Sequence, residues 1–472
     1  MGSEITRTVF DAEAYATFRK RLEEETRTLR ELWHKGALSR RYPVGGFEIE
    51  GWLVDGTMDP ADANRRFLDA YGNPLATMEL AQFNFEINNT PHRLEGDAFA
   101  RFAYELGDTC RRAEETAEQM GLHTLFIGTL PTARREHFSL AHMSPMRRYR
   151  ALNAEVLKER RGKPLAIDIA GEEERLRFTH DSVMLEAAAT SFQIHTQVPW
   201  ESAHHYYNAA LMLSAATVAL SANAPFLFGK ALWAETRIPI FEQSVDTNER
   251  KPRVSFGSGY AHGSIVTCFE ENLRDYDVLI PLCYDTPPEA FSHLKLHNGT
   301  IWRWNRPLVG ADEDGTPHLR IEHRVMPAGP TLEDMLANAL FYYGASHTLA
   351  HKAAEGWFAC DFDAARENFY AAARKGLDAD VVWEGKPTSV RALIADVLVP
   401  AAEAGARAMG VRREDIVHYL DIVRARAASG RNGAWWQRAC AKALGGDVRA
   451  MTQAYRRLQR EGKPVHTWEV SS

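Results

Sequence analysis

Four short segments of the chain alternate with the two-residue period of a strand: Phe47-Glu48-Ile49-Glu50, Phe83 to Asn88, Phe192 to Gln197, and Leu319 to Val325. Successive side chains of a strand point to opposite faces. Glu48 and Glu50 therefore project together, as do Asn84, Glu86 and Asn88, then Gln193, His195 and Gln197, and finally Arg320, Glu322 and Arg324. The reverse faces carry mostly Phe, Ile, Leu and Val. Such a chain must build a sheet with one face on an apolar core and the other presenting carboxylates, a histidine and arginines. That arrangement suits metal-assisted chemistry on an anion.

The composition excludes several other classes. A net charge of -7 and a pI near 6.2 leave no electrostatic footprint for nucleic acid. Five dispersed cysteines without a C-x-x-C pair fit a reducing compartment. The first ten residues lack an apolar signal core, and the Met1-Gly2 to Thr6 match to a lipidation pattern is too short to carry weight. Ala209 to Phe228, the most apolar stretch, is broken by Ser214, Thr217, Ser221, Asn223 and Pro225, so it reads as a buried helix and not a membrane span. The expectation is a cytoplasmic protein that binds neither nucleic acid nor membrane.

Along the chain, a charged helix from about Ala12 to Lys35 precedes the first strand, and Ala98 to Met120 has helical periodicity. Arg- and Lys-rich Met143 to Lys163 reads either as a solvated helix face or as a phosphate-facing segment. A strand is expected around Trp233 to Phe241, then a glycine-rich stretch, Phe256 to Tyr260. From about Leu332 the pattern becomes helical to the end. The whole predicts an α+β fold, with a catalytic domain over residues 1–345 and a helical C-terminal region, 346–472, packed on it.

Hard cations such as Mg²⁺ take oxygen ligands, usually a few carboxylates together with substrate phosphates. Glu48, Glu50, Glu79, Glu86 and Glu322 offer carboxylates from separate segments, and His195 adds a nitrogen. The bland alternative is a solvated sheet face; repetition over four strands favours the metal. Zinc is disfavoured, because one histidine and no cysteine join the set. Arg324, two residues from Glu322 on the same face, and Arg237 are candidates to bind carboxylate or phosphate. Arg303, between Trp302 and Trp304, is a further candidate to face the site. His204-His205 reads as a surface pair opening an amphipathic helix, and His323 as a core histidine.

At these residues the chain resembles glutamate–cysteine ligase family 2. The similarity is carried by Gly46 to Glu50, Glu79 to Asn88, Gly128-Thr129-Leu130-Pro131 with Arg148-Tyr149, and Ser191 to His195. It continues through Asn223-Ala224-Pro225, Glu235-Thr236-Arg237, His297 to Trp302 and Ile321 to Arg324. The resemblance implies a glutamine-synthetase-like antiparallel sheet, ATP, and two or three Mg²⁺ ions, with Mn²⁺ as an alternative. It implies Glu48, Glu50, Glu86, His195 and Glu322 as metal ligands, with Glu79 close by. Arg324 would meet the transferred phosphate and Arg237 the substrate carboxylate; His195, Arg303 and Arg324 would face the nucleotide, and Glu50, Arg237 and Arg324 would serve the chemistry. The implied reaction joins a carboxylate, glutamate foremost, to an amine through an acyl phosphate. A guanidino-kinase-type phosphotransferase and a catalytically silent regulatory relative are the alternatives. The amine, the general base and any homo-oligomer are left open, and the longer helical tail departs from compact members of the family.

Overall fold

The computed structural model describes residues 10–247 and 251–470, so the Met1 to Thr6 segment lies outside the described residues. At its centre is an antiparallel sheet in the order Asn305–Ala311, Pro317–His323, Phe192–Val198, Val44–Val54, Asn84–Asn88, Ala76–Met78. His92–Arg93 and His123–Leu125 pair with opposite ends of the Val44–Val54 strand.

The apolar face forms as its alternation demands. Phe47 meets Phe102, Phe192 and Tyr343 at ring distances of 4.7, 5.2 and 6.0 Å, which places helices Ala98–Gln119 and Leu332–Ala354 against this side. Gly45 permits the close approach: a Cβ there would lie 2.6 Å from the Tyr343 hydroxyl. That hydroxyl donates to the carbonyls of Gly46 and His195, at 3.2 and 3.0 Å, bracing the two central strands from behind. His323 is a core histidine, stacked on Tyr342 at 4.2 Å and hydrogen-bonded with Asn305 and Thr217. Helix Ala203–Ser221 is buried on nearly every side and is not amphipathic, and His204 and His205 at its start are half-buried.

Two expectations about local structure fail. The segment read as a strand around Trp233 to Phe241 contains a helix, Arg237–Ser244. Ile238 and Ile240 mimic strand alternation, yet both are buried together with Pro239 and Phe241, because the helix is enclosed on several sides. The C-terminal third is not all helical either: Asp380–Trp383 and Lys386–Ser389 pair as an antiparallel hairpin. Helix Leu332–Ala354 is continuous through residue 345.

The last helices, Gly433–Ala443 and Val448–Glu461, reach back to the loops that follow the sheet strands. Tyr455 donates to the Phe126 carbonyl at 2.9 Å, and Asn223 Nδ2 donates to Tyr455 and to the Ala328 carbonyl, both at 2.8 Å. Gln437 Nε2 donates to Asn223 Oδ1 at 2.8 Å. Gly433 is required here, since a Cβ would fall 2.0 Å from Asn223 Oδ1.

Candidate active site

The polar sheet face is organised in rows by strand register. Arg306 pairs across with Glu322, and Glu322 with His195. Glu48 pairs with Gln193 on one side and Asn88 on the other. Glu50 stands opposite Glu86, which in turn faces Thr77. Two carboxylate groups result, with different electrostatics.

In the first group, His195 Nε2 lies 3.1 Å from Glu48 and 3.9 Å from Glu322. The three residues offer ligand atoms all within 4.8 Å of one another. His195 thus sits between the two carboxylates. Arg306 clasps Glu322 through two bonds, of 2.8 and 3.0 Å, and Arg324 adds a third at 3.0 Å. Burial raises the cost of the Glu322 charge, but Arg306 and Arg324 outweigh it and hold this carboxyl far below its usual range. Glu48 is likewise drawn down to about 2, the His195 charge prevailing over burial.

The second group runs the other way. Burial, then the charge of Glu86, raises Glu50 to about 7. Glu79 is pushed well above its ordinary value by burial, then by Glu86 and Glu50. Burial and the charge of Glu48 raise Glu86. Glu186, beside Glu50, is raised to about 8 by burial and the Glu50 charge. Glu50 also accepts from the Ser191 N–H at 2.7 Å and from Gln193 Nε2 at 2.9 Å. The same Gln193 accepts from Arg324 at 2.7 Å, so one amide ties the carboxylate to the arginine.

A cavity of about 530 Å³ opens beside the first group. Glu48, Glu322, Arg306 and Arg324 line its sheet side, and Trp302, Leu308 and Val309 are among its apolar walls. It has the volume and mixed lining of a small-molecule site.

The structure thus brings together Glu48, Glu50, Glu79, Glu86, His195, Glu322 and Arg324. Two other residues are held differently. Arg303 is buried on the opposite side of its strand from Trp302, donating to Asn272 at 2.9 Å and pairing with Glu271 at 3.2 Å, away from the carboxylates. The glycine-rich loop goes with it: Gly257 lies beside Arg303 and Ser258 donates to Glu271. Arg237 is also buried, but its Nη2 donates to the carbonyls of Arg324 and Val325, at 3.2 and 2.6 Å, and Nε to Glu235. It secures the backbone that carries Arg324.

Residues with roles the sequence reading left unassigned are Arg306, Gln193 and Glu186. Gln193 had a signal, its place two residues before His195 on the same face. Arg306 needed the hairpin register, and Glu186, on the short 3-10 helix Val183–Ala188, had none.

The donor chemistry fits hard divalent cations. The second group is all oxygen, and Glu50 faces Glu86 directly, an opposition of like charges that is unfavourable without a proton or cation between them. A further cluster, Glu114, Glu118 and His123, has a different character: Arg456 reaches Glu114 at 2.5 Å and Arg460 reaches Glu118 at 2.6 Å, joining the last helix to Ala98–Gln119.

Comparison with known proteins decides the family. This chain belongs to glutamate-cysteine ligase family 2. The family's model matches residues 44–454, which assigns a ligase of the carboxylate–amine type. Among solved structures, the glutamate–cysteine ligase of Francisella tularensis in complex with AMP aligns with a TM-score of 0.56 at 12% identity, over 92% of this chain and 91% of that one. The bifunctional glutathione synthetase of Pasteurella multocida gives 0.54 at 11% identity, over 93% of this chain and 55% of that one. At such identities the likeness shows the fold alone. A search of curated proteins finds no match. Among the described residues no helix is long and apolar enough to cross a membrane.

Proposed function

We propose that the protein is an ATP- and Mg²⁺-dependent ligase that joins a carboxylate, glutamate foremost, to an amine by way of an acyl phosphate. The observation that carries this is the pair of carboxylate groups on one sheet face with Arg324 hydrogen-bonded into both, to Glu322 directly and to Glu50 through Gln193.

A carboxylate is a poor acyl donor, because its oxygen leaves badly. In the first step a carboxylate oxygen attacks the terminal phosphorus of ATP, the bond to the bridging oxygen breaks, and ADP departs. In the second, the amine nitrogen attacks the acyl carbon, the C–O bond breaks, and inorganic phosphate leaves as the nitrogen sheds its proton. The protein's share is placement and charge neutralisation. Glu48, His195 and Glu322 would hold one ion and Glu50, Glu79 and Glu86 a second. Bound Mg²⁺ supplies charge neutralisation on the phosphoryl oxygens. Arg324 would meet the phosphoryl group in transfer, and Arg237 fixes the backbone on which Arg324 rides. On this reading the cavity beside the first group takes the nucleotide. The relative crystallised with AMP supports a nucleotide ligand.

The test is ADP release from purified protein with Mg²⁺ and ATP across pairs of amino acids and amines. Release that requires both a carboxylate and an amine is expected. Release onto a guanidine with no carboxylate present would replace this reading by a phosphotransferase.

A further inference from the structure

The first helix, Ala12–His34, precedes the stretch that the family's model matches, yet it reaches the wall of the cavity. Its Glu25 is buried, and so is His293 at the start of helix Ser292–Gly299. Their hydrogen bonds fix where the proton lies. His293 Nε2 accepts from the Tyr284 N–H at 3.1 Å, so the ring carries its hydrogen on Nδ1 and donates it to Glu25 Oε1 at 2.6 Å. The other carboxylate oxygen of Glu25 accepts from the Leu294 N–H at 2.7 Å.

That last bond is a helix cap supplied by a different helix. Phe291 occupies the cap position of Ser292–Gly299, makes no side-chain cap bond, and has a φ of 54°, a left-handed conformation unfavourable for a bulky residue. Glu25 takes the place of the missing cap, and a carboxylate suits that end of the helix dipole. Tyr284, the other residue tied in, belongs to residues 276–287, which carry no helix or strand. A short helix without a cap of its own and a segment without ladder bonds are marginal by themselves. Both line the cavity, through Tyr284, Ser292, Leu294, Leu296 and Asn298. A buried pair that served only the core would have no reason to join these two segments, which form the part of the wall that the sheet does not supply.

We propose that Glu25 is a positioning residue for the ligand of this cavity: through His293 and the start of helix Ser292–Gly299, the first helix holds the wall in its binding shape. This rests on the reading of the cavity as the nucleotide pocket. Apparent affinity falls with the fraction of molecules whose wall is in place, whereas saturating nucleotide restores the wall. Loss of Glu25 therefore raises KM for ATP and spares kcat. The experiment compares the full-length native protein with Glu25→Gln, in which the amide nitrogen meets one of the two N–H donors. KM for ATP should rise about 2- to 30-fold, the worth of one helix cap, with kcat and the KM for the carboxylate within about twofold of native. Amide hydrogen exchange over residues 284–297 should quicken in Glu25→Gln without nucleotide, and saturating ATP should slow it again. An unchanged KM for ATP, a loss carried by kcat, or unchanged exchange overturns the proposal. Should Glu25→Gln fail to fold, His293→Gln, which keeps an acceptor for the Tyr284 N–H and loses only the donor to Glu25, must show the same split, and the proposal falls if it does not. Failure of the ligase reading would show instead as ADP release that ignores the carboxylate, with the exchange difference intact.

Discussion

The two carboxylate groups on this sheet lie one row apart and are neutralised in opposite ways. Glu322 is held charged by Arg306 and Arg324, and the Glu48 carboxyl, drawn down to about 2, lies beside His195. Glu50, Glu79, Glu86 and Glu186 crowd one another, and their carboxyls are pushed upward, Glu50 to about 7 and Glu186 to about 8. One group has part of its charge compensated by arginines of the fold and still offers Glu48, His195 and Glu322 to an ion. The other depends wholly on positive charge from outside, a proton or a metal ion. The difference separates a ligand set steadied by its own arginines from one that is not, although both occupy the same face.

The largest effect should come from the uncompensated group. Glu50→Gln is expected to lower ligase turnover by about a thousandfold or more, through lost charge stabilisation in the transfer step, with the circular dichroism spectrum unchanged. Turnover within tenfold of the native enzyme would remove Glu50 from the site.

Next comes the arginine-steadied group. Glu322→Gln leaves Arg306 and Arg324 buried without their carboxylate, and such a loss costs about 3–5 kcal/mol. Urea unfolding in EDTA should show it. A change below about 1 kcal/mol would mean that the arginines have other means of compensation.

A third, smaller effect is a pH dependence. A carboxyl raised in the folded state binds its proton more tightly there than in the unfolded chain. The folded state is therefore favoured at low pH, and this group's contribution is lost as pH rises from the ordinary value of 4.5 through about 7. Mg²⁺ replaces the protons. The gain in Tm on adding Mg²⁺ should be a few degrees larger at pH 8 than at pH 5.5. An equal or reversed gain would detach the raised carboxyls from metal binding.

The smallest effect sharpens the contrast with Glu322. In EDTA at pH 8, Glu86→Gln relieves the opposition to Glu50 and should be neutral or stabilising by up to about 1 kcal/mol. A loss approaching that of Glu322→Gln would erase the distinction between the groups.

How much of this was legible in the sequence follows from how local each signal is. Glu48 with Glu50, or Gln193 with His195, needs only the two-residue period of a strand, and the structure puts those side chains on one face. Arg306 is different. Its contact with Glu322 depends on the register of a hairpin set by the Asp312 to Thr316 turn, whose N–H to carbonyl bond of 2.9 Å no alternation pattern encodes. Glu186 sits on a single short 3-10 helix, Val183–Ala188, too short for its period to show in the sequence. Arg303 was misplaced because adjacency to tryptophans says nothing about side; Trp302 took the cavity face and left Arg303 the other. The tail's purpose was also beyond reach, since Tyr455 and Gln437 meet Asn223 across more than two hundred residues of chain.

The central claim is that a carboxylate oxygen passes to phosphate. It is tested most directly with glutamate carrying ¹⁸O in its side-chain carboxylate, incubated with Mg²⁺, ATP and the amine that supports ADP release. The account expects one ¹⁸O in the inorganic phosphate for each amide formed. Amide formed together with unlabelled phosphate would contradict it.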